Sequence, residues 1–531
     1  MVKTAKDHSS KVAVTRRSFH WQWIFGCLVA ILVIGLAIYL NTKHDADQIT
    51  KVASTIDVDN GDLKINWDRY QTLEIELEES VTISESGTYH LSGKLEDGNI
   101  TIDAGIGEVR LILDNVSINH TSGPAIYCAS AEDLVIETIG ENYLSDGASY
   151  SVDYDEDVDG TIYSNADLIF NGTGSLNITG KYQDAIVGKD DVKINGGVYE
   201  ITAVDDGVRG KDSVYIVDGS IETNVGADAI KSTNEIDQGK GFVLIENGTL
   251  DLSASAKGIK APNSILIYGG NISLVTRDDS IHSNNYIGIV DGSIAIDSGD
   301  DGIHADRELI IDGGKINVSQ SYEGLEAQKV TINGGTISVK SSDDGINAGG
   351  GSDDTDSSRP TGDAFNTDEN CILSVNGGEV YINAAGDGVD SNGWVYFNGG
   401  ETIIDGPTNN GNGALDSGLG ITMNGGTVIA VGSSGMAETL GDDSAINNVS
   451  IYLSATAVAG TKITIKNSSG DIILEHTSVK TFANIAAGTG KFQIGESYTL
   501  CLDSKCQDFT LSGVTTTIGN SRENFNGDRR K

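Results

Sequence analysis

From about residue 160 to 440 the chain alternates apolar and polar residues in short runs, each folded around a glycine turn. In Val330-Thr331-Ile332-Asn333-Gly334-Gly335-Thr336-Ile337-Ser338-Val339, the positions Val330, Ile332, Ile337 and Val339 alternate with polar neighbours. Leu309 to Val318 repeats the pattern around Gly313-Gly314. A period of two predicts strands with one buried face. The first turn glycines are Gly172, Gly196, Gly219, Gly248, Gly269, Gly292, Gly313, Gly334, Gly377, Gly399 and Gly425, and most gaps are 21 to 24 residues. The gap from Gly334 to Gly377 is 43, two periods. One such unit cannot bury its apolar face alone, so a fixed period of this size means stacked units. The pattern predicts an all-β chain, a right-handed parallel β-helix with rungs of about 22 residues.

Loss of phase sets the boundaries. Residues 71–445 form the predicted β-helix, with an irregular start up to 160. The Gly/Ser/Asp-rich stretch 349–362 reads as a flexible loop inserted in one rung. Residues 446–519 are expected to form a small C-terminal β cap, and 520–531 a polar tail. At the other end, Trp23 to Leu40 is an 18-residue apolar run flanked by Trp21, Trp23 and Tyr39 and preceded by basic residues. It predicts one transmembrane signal anchor at 21–40, a cytoplasmic basic segment at 1–20, a linker at 41–70 and an extracellular C-terminal region.

Net charge is −42, and leaving out the basic first 43 residues lowers it to −47. Such a surface repels nucleic acid and anionic lipid and attracts cations. Five cysteines make no disulfide framework, although Cys501 and Cys506 are close enough in sequence to bridge a local loop.

A second motif recurs in each rung: an acid, a small residue, then an aliphatic. The aliphatics Ile186, Val208, Ile230, Ile259, Ile281, Ile303, Leu325 and Ile346 are 22, 22, 29, 22, 22, 22 and 21 residues apart. The excess before Ile259 falls in Asn234 to Gly241. The acids must therefore stack as well: Asp184, Asp205, Asp206, Asp228, Asp278, Asp279, Asp300, Asp301, Glu323, Asp343 and Asp344, with Asp387 beyond them. At about 4.8 Å between rungs, neighbouring carboxylates repel by about 3.5 kcal/mol at an effective dielectric near 20. Turn preference explains one Asp per rung but not the doubled acids. Oxygen-only donors point to Ca²⁺. Asp155-Glu156-Asp157-Val158-Asp159-Gly160 also matches the first half of a calcium loop, but the twelfth position is Ala166.

A basic series, Lys189, Arg209, Lys211, Lys231, Lys257 and Lys260, accompanies the acids. Calcium beside Arg209, Lys231 or Lys260 is the equipment of uronate β-elimination. Ion pairing with the acid column is the simpler role. His282 and His304 lie one rung apart, and without Cys or further His they do not predict a transition-metal site.

Val81 to Gly93, Val109 to Ser117, Asp205 to Ser213 and Asp228 to Asn234 resemble, in motif order, a bacterial carbohydrate-binding family typified by a clostridial cellulose- and pectin-binding surface protein. The resemblance covers roughly residues 75 to 515. It implies a right-handed β-helix similar to polysaccharide lyases, bound calcium, and binding to cellulose or polygalacturonate without established catalysis. This chain departs from the family in its expected anchor, in the 349–362 insertion, and at Lys257, which stands where other rungs carry an acid.

The expectation is a membrane-anchored, calcium-dependent, non-catalytic polysaccharide binder. A polygalacturonate ligand needs a metal to bridge carboxylates. Cellulose needs aromatic platforms, and outside the expected anchor at 21–40 only Trp67 and Trp394 are tryptophans. The alternatives are a polysaccharide lyase using Arg209, Lys231 or Lys260, and a calcium-stiffened structural or adhesive rod.

Overall fold

The computed structural model describes residues 48–58, 65–151, 154–155, 157–349 and 367–519. Three strand columns wind into a parallel β-solenoid of about 15 turns. The first face holds the short strands after the acid motif, such as Val208–Gly210, Ile230–Ser232, Ile259–Ala261 and Ile281–Ser283. The second holds Ser213–Ile216, Phe242–Ile245 and Ser264–Ile267. The third holds Ser220–Val225, Thr249–Ala254 and Asn271–Val275.

Register follows the aliphatic phase. Ile186 pairs with Val208, Val208 with Ile230, Ile230 with Ile259, and so on to Ile346 with Val389. All of these side chains are fully buried. Stacked aliphatics fill the interior with no partner needed beyond the next turn, which is why the repeat stabilises itself. Val330 pairs directly with Leu373, and Ile346 with Val389. The 43-residue gap is therefore one turn with an insertion, not two turns. Beyond Gly349, the expected insertion lies outside the described residues.

The turn asparagines form an amide ladder. Asn376 donates to Asn333, Asn398 to Asn376 and Asn424 to Asn398, each at 2.8 Å. The second glycine after each asparagine takes a left-handed conformation, as at Gly335 with φ +89, where a Cβ would press on the backbone of the turn before.

Part of the segment expected as a linker is docked. Residues 48–53 are helical, and Ile49 packs with Phe242, Leu244, Leu266, Tyr286 and Ile310 on the second face. The Asp57 N–H donates to Gly239 O at 2.9 Å, so the seven-residue excess before Ile259 supplies the clamp. At the far end, Asn448–Ala457 and Phe482–Thr489 pair antiparallel, and a separate four-stranded sheet carries the Cys501–Cys506 disulfide.

The expected N-terminal transmembrane helix is corrected: no described helix is long and apolar enough to cross a membrane. Residues 21–40 themselves lie outside the described ones.

Candidate functional site

The acid motif enters the first face, and its main role is visible in the backbone. Asp184 Oδ1 accepts the N–H of Asp206 at 2.9 Å, Asp206 Oδ1 that of Asp228 at 3.0 Å, and Asp228 Oδ1 that of Lys257 at 2.9 Å. Asp279 and Asp301 continue the ladder to Asp301 and Glu323, and Asp344 accepts from Asp387 at 2.5 Å. Each carboxylate thus ties its turn to the next with a charge-assisted bond. Asp184, Asp206, Asp228, Asp279 and Asp301 are buried, whereas their doubled partners Asp205, Asp278 and Asp343 are half-buried and Asp300 is exposed.

The second oxygens of the first three acids face cations. Arg209 Nη2 lies 2.6 Å from Asp184 Oδ2 and 2.5 Å from Asp159. Lys231 Nζ lies 2.5 Å from Asp206 Oδ2 and 3.3 Å from Asp228. Lys257 Nζ lies 2.6 Å from Asp279 and 3.0 Å from Asp278. Burial disfavours the charge on Arg209 and Lys231, but the carboxylates overcome it and hold both pKa values above the ordinary range. Neither side chain is poised to take a proton. Burial raises Asp184 to about 7, with Arg209 pulling it back and Asp206 pushing it up. In the 155–160 segment, Asp157 pairs with Lys189 at 2.8 Å and Asp159 with Arg209, so two of its acids point at protein cations.

The position just after each aliphatic forms a row, of which the sequence motif marks only the bases and the two histidines. In register it runs Tyr127, Tyr163, Val187, Arg209, Lys231, Lys260, His282, His304, Glu326, Asn347 and Asp390. Charge changes sign along it, from aromatic through cationic and imidazole to acidic. The signal that reaches Glu326 and Asp390 is the same one position, extended through every rung. At the aromatic end, Tyr150 and Tyr182 stack at 4.5 Å, and Tyr127 meets Tyr154 edge-on at 5.4 Å. Lys260 enters no ion pair among the described residues.

At the acidic end, Glu323, Glu326, Asp343, Asp344, Asp387 and Asp390 enter no ion pair with Lys or Arg among the described residues. Burial, reinforced by neighbouring carboxylates, raises Asp344 to about 7, Asp387 to about 8 and Asp390 to about 6. Glu323 is pushed well above its ordinary value by burial and Glu326. The donors at this end are carboxylate oxygens, the type that hard divalent cations take. Asp184, Asp205 and Asp206, and likewise Asp278, Asp279 and Asp300, each bring carboxylate oxygens within 4.8 Å of one another, with Arg209 and Lys231 beside the second oxygens of Asp184 and Asp206.

A face graded from tyrosines through bases to acids suits a polar polymer. The chain belongs to the carbohydrate-binding domain-containing protein family, whose model matches residues 77–345. A carbohydrate-binding domain-containing protein of Acetivibrio thermocellus is 34% identical over 145 residues, covering 26% of this chain and 50% of the relative. The chain thus spans about half the length of that curated relative. A solved polysaccharide lyase-like protein from C. thermocellum, a gadolinium derivative, is 28% identical, covering 45% of this chain and 96% of that one, with a TM-score of 0.38.

Proposed function

We propose that this protein binds an acidic polysaccharide of the polygalacturonate class along the first face, with calcium at the acidic end, and does not cleave it. The observation that carries the reading is the graded row. Half-buried Tyr127, Tyr150, Tyr154 and Tyr182 offer apolar ring faces with polar tips, and Lys260 offers a cation to a sugar carboxylate. Asp343, Asp344, Asp387 and Asp390 would hold Ca²⁺, which offsets their repulsion and lets an anionic chain approach an anionic protein. Arg209 and Lys231, kept protonated by their carboxylate partners, do not serve as bases, which supports binding without cleavage and leaves Lys260 as the base of the lyase alternative. The Cys501–Cys506 bridge fits an oxidising compartment, which favours a binding region outside the cytoplasm.

A second reading rests on Trp394 and Tyr396. They stack at 6.3 Å and 20° on the second face, and Gly420 follows Trp394 in register. This flat pair suits a neutral glucan such as cellulose.

The test incubates the full chain with polygalacturonate and Ca²⁺ while following ultraviolet absorbance and retention together. Calcium-dependent retention with flat absorbance supports the first reading. A chelator-sensitive rise in absorbance, from unsaturated products, sinks it in favour of a lyase. Retention on cellulose that Trp394→Ala abolishes, with none on polygalacturonate, favours the second reading.

A further inference from the structure

The repeat brings two histidines and four carboxylates to one place. His282, His304 and Glu326 are in register on consecutive turns, and the motif acids Asp279 and Asp301 each sit three residues before a histidine. Their donor atoms converge. His304 Nδ1 lies 3.6 Å from Asp301 Oδ2, 3.6 Å from Glu326 Oε2 and 3.9 Å from Asp279 Oδ2. Its Nε2 lies 3.6 Å from Asp306 Oδ1. His304, Asp301 and Glu326 each present an atom within 4.8 Å of the other two. The His304 side chain is 2% exposed, and Glu326 at 14% leaves a path to solvent.

These separations are longer than a charge-assisted hydrogen bond. A charge-assisted N–H···O bond closes to about 2.7–2.9 Å, as His282 Nδ1 does with Asp279 at 2.9 Å. Two ligands sharing a tetrahedral metal through bonds of about 2.0–2.1 Å stand about 3.3–3.4 Å apart. The 3.6 Å spacings around His304 Nδ1 lie closer to the second value.

We propose that His304 Nδ1, Asp301 Oδ2 and Glu326 Oε2 form a binding site for a divalent first-row transition metal of the zinc class, separate from any calcium held by the acidic end. Three protein ligands leave a coordination position open on the Glu326 side. The imidazole nitrogen is the selective element, because Ca²⁺ and Mg²⁺ take oxygen donors while zinc-class ions take imidazole readily. His282 and Asp279 act behind the ligands. Their 2.9 Å contact orients the Asp279 carboxylate, and His282 Nε2 is fixed 3.2 Å from Asn284 Oδ1. The rings of His282 and His304 meet edge-on at 5.0 Å, so His282 also walls the site from the lysine side of the face. Binding needs a neutral imidazole and ionised carboxylates, so metal uptake releases protons.

The test strips the full chain with chelator, adds a large excess of Ca²⁺ and titrates Co²⁺ as a coloured probe, with Zn²⁺ competition followed by calorimetry. One equivalent of Co²⁺ should bind in the presence of Ca²⁺, give the intense ligand-field bands of a low-coordinate site, and be displaced by Zn²⁺. His304→Gln should weaken binding by more than about tenfold, the scale on which even outer-shell losses act. Glu326→Gln, at the rim, should do the same and serves if His304→Gln lowers the melting temperature. Displacement of Co²⁺ by Ca²⁺, a weak octahedral spectrum, or an unchanged spectrum in both variants would overturn the site. Polysaccharide retention plays no part in this readout, so the site stands or falls independently of the proposed function.

Discussion

Lys257 Nζ sits 2.6 Å from Asp279 Oδ2, with the two side chains 9% and 1% exposed, and so places an ammonium inside a column otherwise built of acids. Asp278 takes a second contact at 3.0 Å. Removing one member of a buried pair strands the other charge, at a cost of about 3–5 kcal/mol. Lys257→Met should therefore lower the melting temperature sharply, whereas Lys257→Met with Asp279→Asn should recover part of the loss. Thermal unfolding of the three proteins checks this. Equal melting temperatures for wild type and Lys257→Met would show that the ammonium is not the counter-charge for this turn.

Without metal, the acidic end makes stability fall as pH rises. Asp344, Asp387 and Asp390 hold their protons in the folded state to about 7, 8 and 6, well above their usual 3.8. Across that window the native state binds more protons than the unfolded one, so the slope of unfolding free energy with pH is negative. Their contribution is fully present below about pH 4 and is lost as pH climbs through 6 to 8. Melting in chelator should fall between pH 5 and 8.5 (roughly the span these groups titrate over). Calcium should restore most of that loss at the alkaline end. A melting temperature that rises over the same span in chelator would show that these acids are stabilised as carboxylates.

Much of this was legible in the chain, for a physical reason. Stacking at fixed phase turns a sequence period into a spatial column, so the spacing alone places Ile186 to Ile346 in one line, and Asp184, Asp206 and Asp228 with them. The function of each oxygen was not legible. That Oδ1 binds the next turn's N–H while Oδ2 meets a base depends on side-chain direction, which periodicity does not carry. Lys257 visibly interrupts the acids in the sequence, but its reach forward to Asp278 and Asp279 is a matter of rotamer. The two histidines look insufficient alone because their partners, Asp301 and Glu326, come from different motif positions and meet only when adjacent turns are stacked. The docking of Ile49 on Phe242 and Leu266 leaves no mark in the pattern either, because a lone helical turn in a polar stretch has no period to reveal it.

Lys260 separates binding from folding. It stands in register between Lys231 and His282 and, unlike Lys231, is not tied to an acid of the column. Lys260→Glu should leave the melting temperature nearly unchanged. It should weaken retention on polygalacturonate by about tenfold at low salt, equivalent to about 1.4 kcal/mol, and by less at high salt because exposed charges are screened. Retention equal to wild type at low salt would move the ligand off this face.

The disulfide should stabilise the cap and not the solenoid. Cys501 and Cys506 face each other in register on the strands Ser497–Leu502 and Lys505–Thr510, which belong to the separate four-stranded sheet. Its Ile463, Ile465, Leu474, Tyr498, Leu500 and Phe509 share one core with Ile429 and Val431 of the last solenoid turn, but the disulfide itself lies on the far strand pair of that sheet. Closing so short a loop removes little entropy from the unfolded chain, and the loop-closure relation gives about 2 kcal/mol. Stacked repeats share energy chiefly with their neighbours, so the loss should stay local. Reduction, or Cys501→Ser with Cys506→Ser, should speed hydrogen exchange in residues 462–510 while leaving the turns around Ile230 and Ile259 protected. Loss of protection throughout the solenoid would instead show that the cap and the stacked turns unfold as one unit.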